Sequence, residues 1–211
     1  MSADAVHVAI FAKAPQAGKA KTRLIPALGA QGAARLQRWL TRRAVETASR
    51  SDVGGVTLWC APHARHPFFR ALQDRMHVEC RDQPEADLGQ RMLHAFEAHC
   101  PKGPLLVIGT DCPALEAGDL RDAASVLRNG HDAVVLPAED GGYVLIGLRH
   151  PLPSLFDNIA WGTDAVMHAT RERLRALDAH WCEPKVLWDV DRPEDLARLH
   201  TLCPDAPAAP R

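Results

Sequence analysis

A chain of 211 residues with 46% hydrophobic and 24% charged side chains fits one α/β domain with a substantial core, so no second domain is required. Its formal net charge of -1 lacks the basic excess of a nucleic-acid protein, and no apolar run approaches the roughly 20 residues of a membrane span. The N-terminus carries no charged-then-apolar leader, and the six cysteines are scattered rather than paired as in a disulfide scaffold, which predicts a reduced, cytoplasmic protein.

Val6 to Ala12, β-branched and aromatic, predicts a first strand. The loop after it places Lys13, Lys19, Lys21 and Arg23 around Pro15 and Gly18. A phosphate-bearing ligand suits such a loop, since glycine lets backbone N–H groups approach the anion while the cations neutralise it. It is not a Walker A loop, which would need glycine at position 13 and Ser or Thr at 20, where Lys13 and Ala20 stand. A merely solvated loop is the alternative, in which four neighbouring cations repel one another without a counter-ion.

Gly32 to Ser49 has helical periodicity, with Ala33, Leu36, Leu40, Ala44 and Val45 on one face. Val53 to Cys60 predicts the second strand, Phe68 to Met76 a short helix, and His77 to Cys80 a third strand. Between them, Cys60, His63 and His66 have a superficially zinc-like spacing, but no second cluster completes it, and a polar loop is the preferred reading. Asp87 is a candidate N-cap for a helix presenting Leu88, Met92 and Phe96, and Gln83 and Gln90 are read as turn and surface residues.

Pro104 to Pro113 is the centre of the reading. Leu105 to Ile108 predicts a strand buried on both faces, as in a parallel sheet, and in such sheets ligands sit beyond the carboxyl ends of the strands. Asp111 stands at that edge, between a bend at Gly109 and a stop at Pro113. It suits either a ligand-binding carboxylate or a turn cap.

A helix from Gly118 to Arg128 and a strand from Asp132 to Pro137 follow. An Asp140-Gly141-Gly142 turn then leads into another strand ending near Leu148. Trp161 to Val166 opens a helix with Thr163 as N-cap, Trp161 packing on the core or flanking a pocket. The last strand is expected near Glu183 to Trp188, and a helix beginning at Pro193. Asp191 is a candidate second metal-binding carboxylate. The Ala/Pro tail from 204 to 211 is expected to be disordered, leaving residues 1–203 as a single domain.

Four stretches in this order, Phe11 to Leu24, Gly109 to Pro113, Glu139 to Tyr143 and Asp189 to Leu196, resemble the glycosyltransferase-A-like transferases associated with radical-SAM and selenodomain proteins. The likeness covers about Val6 to Leu199, and the chain is more distantly similar to 2-phospholactate and molybdenum-cofactor guanylyltransferases. The resemblance implies a three-layer nucleotide-diphospho-sugar transferase sandwich around a mostly parallel sheet. It implies that Lys13, Gly18, Lys19, Lys21 and Arg23 bind nucleotide phosphates, and that Asp111 and Asp191 hold Mg²⁺ or Mn²⁺. Glycosyltransferases of this fold usually carry Asp-x-Asp, whereas Asp111-Cys112-Pro113 lacks the second acid, which weakens sugar transfer relative to nucleotidyl transfer.

The resulting expectation is a metal-dependent transferase acting on a nucleoside triphosphate or nucleotide sugar and a small-molecule acceptor. Asp111 and Asp140 would be catalytic, and Glu139, Gly141, Gly142, Tyr143 and Trp161 would line the acceptor or sugar side. A nucleotide-sensing module without turnover and a metal-dependent phosphohydrolase are the rival classes. Cys112 is a poor nucleophile on this reading, because the neighbouring Asp111 charge raises its pKa.

Overall fold

The computed structural model describes residues 5–208. Its strands are β1 (His7–Lys13), β2 (Val56–Ala61), β3 (Glu79–Asp82), β4 (Leu105–Ile108), β5 (Ala133–Pro137), β6 (Tyr143–Leu148) and β7 (Trp181–Cys182). They form one sheet in the order β3-β2-β1-β4-β6-β5-β7. β6 runs antiparallel to β4 and β5, and every other pairing is parallel. This is the mostly parallel α/β sandwich that the sequence predicts.

All four residues of β4 are buried. The alternation of side chains along the strands divides the core in two. Val8, Ile10, Leu58, Leu106 and Ile108 face one layer, formed by α1 (Ile25–Ser51), α2 (Pro67–Met76) and α4 (Ala117–Arg128). Ala9, Trp59, Leu105, Val107 and Ile146 face the other, formed by α3 (Leu88–His99) and α5 (Val166–Ala176). Burying each large aliphatic or aromatic chain of these layers contributes about 1.5–3 kcal/mol relative to exposure. A third cluster ties the start of α1 to α6 (Asp195–Leu202) through Leu24, Leu28, Trp188, Val190 and Leu199. Among the described residues no helix is long and apolar enough to cross a membrane.

Several boundaries differ from the sequence reading for local reasons. α1 is broken at Gly29 (φ 68, ψ 164), so its regular part begins near the expected Gly32. β3 starts at Glu79 rather than His77, because His77 takes a left-handed conformation (φ 52) as the C-cap of α2. The final strand shrinks to Trp181–Cys182 plus a bridge from Ala138 to Leu187; Pro184 offers no N–H to a ladder in between. Thr163 is not the N-cap of α5, which starts at Val166 after Ala165; its hydroxyl donates to Ala160 O (2.8 Å) in the preceding turn. Pro193 also precedes its helix, which begins at Asp195. Of the Ala/Pro tail, Asp205 accepts from Trp39 Nε1 (3.1 Å) and Ala206 is buried, while residues 209–211 lie outside the described residues.

β1 connects outward to β2 and β3 on one side, whereas β4, on its other side, leads toward β6, β5 and β7. The strand order therefore reverses between β1 and β4, and an open α/β sheet binds ligands at the carboxyl ends of the two strands flanking such a reversal. Those ends carry Lys13 and Asp111.

Candidate functional site at the carboxyl edge

The loop after β1 folds back over the end of β4. Lys21 is the hinge of this arrangement: its side chain is 3% exposed, and its ammonium lies 3.0 Å from Asp111 Oδ1 while donating to Val190 O. Thr110 Oγ1 donates to the same carboxylate oxygen (3.2 Å) and itself accepts from the buried Gln37 Nε2 (3.1 Å). Asp111 Oδ2 has no protein partner among the described residues. The backbone is tied as well, since Val190 N donates to Asp111 O (2.8 Å), drawing the Asp189-Val190-Asp191 segment alongside. Two residues on, Arg23 pairs with Asp191.

The tip of the β5–β6 hairpin supplies the next acid. Asp140 accepts from Gly142 N (2.9 Å), and Gly141 at φ 91 brings its backbone so close to residue 164 that a Cβ would lie 2.3 Å from Asp164 O. Burial pushes Asp189 up to about 6, and the negative charges of Asp140 and Asp111 push in the same direction, against the pull of Lys21. Asp189 thus feels two other carboxylates across the edge of the sheet.

Three cavities run along this edge. One of about 670 Å³ is lined by Phe11, Pro62, Gln83, Leu88 and Arg91 together with Lys13 and Lys19. The next, of about 310 Å³, shares Phe11, Lys13, Lys19 and Leu88 with the first and adds Lys21, Arg23, Asp111 and Asp191. A third, of about 440 Å³, shares Arg23 and Asp191 with the second and adds Glu139, Asp140, Asp164 and Asp189. The shared walls make them one trough with a basic, partly apolar end and an acidic end. Each compartment lies in the size range of small-molecule sites.

The trough gathers Lys13, Lys19, Lys21, Arg23, Asp111, Asp191, Glu139 and Asp140 from the sequence reading. It uses the basic loop differently from the expectation. Lys19 N and Ala20 N both donate to Gln16 O, so these two amides close the loop's own turn, and Gly18 does not line the cavities, whereas Lys13, Lys19, Lys21 and Arg23 do. Glu139 is held by a two-pronged pair with Arg198 (2.8 and 3.1 Å), which also stacks on Trp188. Gly142 is spent in the hairpin, where its carbonyl accepts from Ala138 N (3.0 Å).

Tyr143 and Trp161 are not brought to the trough. The Tyr143 hydroxyl donates to Met92 Sδ (3.8 Å) in the layer under α3, its ring meets Trp161 edge-on, and the indole lies over Gly89. Cys60 is buried in the core, and His66 Nδ1 accepts from Phe68 N (3.3 Å) as the N-cap of α2, so the zinc-like spacing serves core and cap. Among the described residues no three His, Cys, Asp or Glu side chains are grouped to enclose a metal ion. The Cys112 thiol is pushed up to about 12, in the expected direction, but burial is the main cause and Asp189 and Asp119, not Asp111, are the acids that add to it.

Sequence reasoning passed over Asp189, Gln37, Thr110, Arg198 and the apolar pair Phe11 and Leu88. A signal existed for Asp189: in an extended Asp-Val-Asp, the first and third side chains share a side, so a role for Asp191 draws in Asp189 as well.

Residues 44–163 match the family model described as "Uncharacterized protein conserved in bacteria (DUF2064)". The chain belongs to the DUF2064 family. Among curated proteins, this DUF2064 chain is 36% identical over 102 residues to a phosphoenolpyruvate guanylyltransferase of Rubrobacter xylanophilus, covering 46% of the chain and 47% of that protein. It is 32% identical over 109 residues to a 3-phospho-D-glycerate guanylyltransferase of Phenylobacterium zucineum, covering 51% and 49%. The chain spans about half the length of the curated relatives it matches. A solved structure from Desulfovibrio desulfuricans G20, classed as a nucleotide-diphospho-sugar transferase, superposes with a TM-score of 0.85 at 28% identity, over 96% of this chain and 90% of that one. The CTP complex of a CMP:2-keto-3-deoxy-manno-octonic acid synthetase shares the fold at 12% identity and a TM-score of 0.58, over 95% and 98%. The DUF2064 chain therefore has the nucleotide-diphospho-sugar transferase fold.

Proposed function

We propose that this DUF2064 chain transfers a nucleotidyl group from a nucleoside triphosphate to a small acceptor. The observation that carries the reading is the trough at the β1/β4 reversal, in which unpaired cations adjoin a set of facing carboxylates. A triphosphate carries several negative charges, and Lys13 and Lys19, which have no acid partner among the described residues, offset part of them beside the paired Lys21 and Arg23. The apolar surface of Phe11 and Leu88 suits a base or ribose next to those phosphates. The names of the two guanylyltransferase relatives support the same chemistry.

The donor set also fits a hard divalent cation, Mg²⁺ or Mn²⁺. Asp111, Asp189 and Asp191 offer hard oxygen donors along the same stretch of the edge, Asp189 within electrostatic reach of Asp111, and Lys21 and Arg23 are the cations that would share Asp111 and Asp191 with the ion. A structural neighbour of 15% identity from Mycobacterium tuberculosis is a manganese complex. A bound ion would supply charge neutralisation at the phosphates. The protein's own residues do the rest: Lys21 and Thr110 fix the Asp111 carboxylate, the loop cations hold the leaving pyrophosphate, and Asp140 takes the proton of the acceptor hydroxyl. The acceptor oxygen bonds to the α-phosphorus as the bond to the β-phosphate oxygen breaks, and positioning with charge neutralisation carries most of the rate. The cytoplasm is the setting we assign, where the six free cysteines stay reduced.

Calorimetry with ATP, GTP, CTP and UTP in the presence of Mn²⁺, followed by an assay for pyrophosphate release, tests the reading. One triphosphate should bind, and Lys19→Ala should weaken it by about 1.5–3 kcal/mol, the range for charge-assisted hydrogen bonds. Absence of triphosphate binding would end the proposal. The class given to the Desulfovibrio desulfuricans relative favours sugar transfer as the second reading. Nucleotide sugars in the same calorimeter separate the two, since that reading requires them to bind more tightly than the triphosphates.

A further inference from the structure

The nucleotidyl-transfer reading leaves the acceptor open, and the third compartment of the trough constrains it. Six acids face that cavity, Glu139, Asp140, Asp164, Asp189, Asp191 and Asp195, against three arginines. Two of those arginines are already matched: Arg23 is paired with Asp191, and Arg198 grips Glu139 with both prongs while lying over the Trp188 ring. The carboxylate of Asp195 accepts from Asp191 N and Arg192 N (2.9 and 2.7 Å), bonds to neutral backbone amides that leave its charge unmatched. With Asp189 assigned to the divalent cation, the acids left without a cationic partner among the described residues are Asp140, which bonds Gly142 N, Asp164, which makes no side-chain bond, and Asp195. Arg192 is the one guanidinium of the cavity without an acid partner among the described residues.

The opposite end of the trough has the reverse balance, with Lys13, Lys19 and Arg91 lining a cavity that contains no acid. The field therefore draws an anion toward the β1 and β2 ends and away from the hairpin tip. Resting on the nucleotidyl-transfer reading, we infer that the acceptor compartment takes an uncharged polyhydroxy compound or an amine-bearing one such as an amino sugar, and excludes phosphorylated acids. Free carboxylates accept hydroxyl hydrogen bonds and pair with ammonium groups, but they repel a phosphate or a carboxylate, and one lone arginine does not overturn three unmatched acids. This separates the chain from the acceptors in the names of its two curated relatives.

The test measures Mn²⁺-dependent pyrophosphate release from the four triphosphates with myo-inositol, glucosamine, 3-phosphoglycerate or phosphoenolpyruvate as acceptor. Saturation-transfer NMR reads binding of the same four compounds to the triphosphate-loaded protein, independently of turnover. Myo-inositol or glucosamine should bind and stimulate release while both phosphoacids do neither. Asp164→Lys should weaken glucosamine by about fivefold or more and bring 3-phosphoglycerate into the binding range. Preferential binding of either phosphoacid by the unaltered protein overturns the inference while leaving nucleotidyl transfer intact. Failure to bind any triphosphate would instead sink the transfer reading itself.

Discussion

Replacing Asp111 by Asn keeps the size of the side chain and removes the charge that faces Lys21. The Lys21 side chain is 3% exposed, so its ammonium would be left with Val190 O and a neutral amide in place of a carboxylate. Orphaning one member of a fully buried pair costs about 3–5 kcal/mol, whereas exposed pairs contribute about 0.2–1. The Asp111 side chain is 47% exposed, so the loss belongs between those limits, at about 1–2 kcal/mol. For a chain of this size that lowers Tm by roughly 2–8 °C. Lys21→Met should cost less, because a half-exposed carboxylate regains water, and the double variant should recover part of the Asp111→Asn loss because no buried charge is then left alone. The assay is a double-mutant cycle by calorimetric melting, with Mn²⁺ titrated into each variant. A coupling near 1–2 kcal/mol, with Mn²⁺-dependent nucleotide binding lost in both variants that lack Asp111, is the expected result. If Asp111 were only a turn cap, its loss would cost about 1 kcal/mol, would not depend on Lys21 and would spare Mn²⁺ binding. A coupling below about 0.3 kcal/mol refutes the account of the pair given above.

Gly141→Ala forces a Cβ onto a residue at φ 91 and within 2.3 Å of Asp164 O, so it should destabilise by at least roughly 1–3 kcal/mol from backbone strain alone and lower turnover by displacing Asp140 and Asp164 together; unchanged melting would show that the hairpin tip relaxes freely. The two-pronged Arg171–Glu183 pair, with Trp181 Nε1 also donating, holds the Glu183 carboxyl below its ordinary value. A carboxylate with a depressed folded pKa contributes stability that is present above its unfolded pKa of 4.5 and lost as pH falls through the folded value. Glu183→Gln should therefore lower stability by about 0.5–1 kcal/mol at pH 7, and its melting curve should converge on that of the parent protein in acid; an equal deficit at all pH values would exclude the charge as the cause.

The architecture was legible because its signals are local and repeated. Leu105 to Ile108 is apolar at every position, which only a strand covered on both faces tolerates, and the surrounding strands and helices follow at spacings that leave little choice but a parallel sheet. Asp87 could be assigned its cap because an acid before an amphipathic run has one dominant use, and its carboxylate does accept from Gln90 N (2.9 Å). Boundaries failed where one residue outweighed the local pattern. His77 looks like a strand residue but ends α2 in a left-handed turn, and Pro184, with no N–H to donate, separates Trp181–Cys182 from the bridge at Leu187. Tyr143 lies off the trough for a different reason, and Trp161 takes the core-packing alternative of its two readings. An aromatic beside a glycine turn has no sequence mark distinguishing a pocket wall from a core layer, and the side of the sheet it meets is settled by the antiparallel entry of β6.

The site shows the same division between composition and placement. That four cations follow β1 and that an acid ends β4 can be read from the chain, but their pairing depends on the adjacency of the two strands, which fixes Lys21 against Asp111 and Arg23 against Asp191. The pairing changes the chemistry inferred for the loop. Lys21 and Arg23 are partly neutralised from within, so Lys13 and Lys19 remain as the cations available to an incoming phosphate, and the anion-attracting end shifts toward Phe11 and Leu88. The acids left without partners gather at the far end, beside the hairpin tip. A trough polarised in this way orients its donor before any specific hydrogen bond forms, with phosphates drawn to the lysines and the hydroxyl to be modified held near Asp140. The order of charges along one sheet edge, which no single motif contains, is what makes the two ends of the site chemically different.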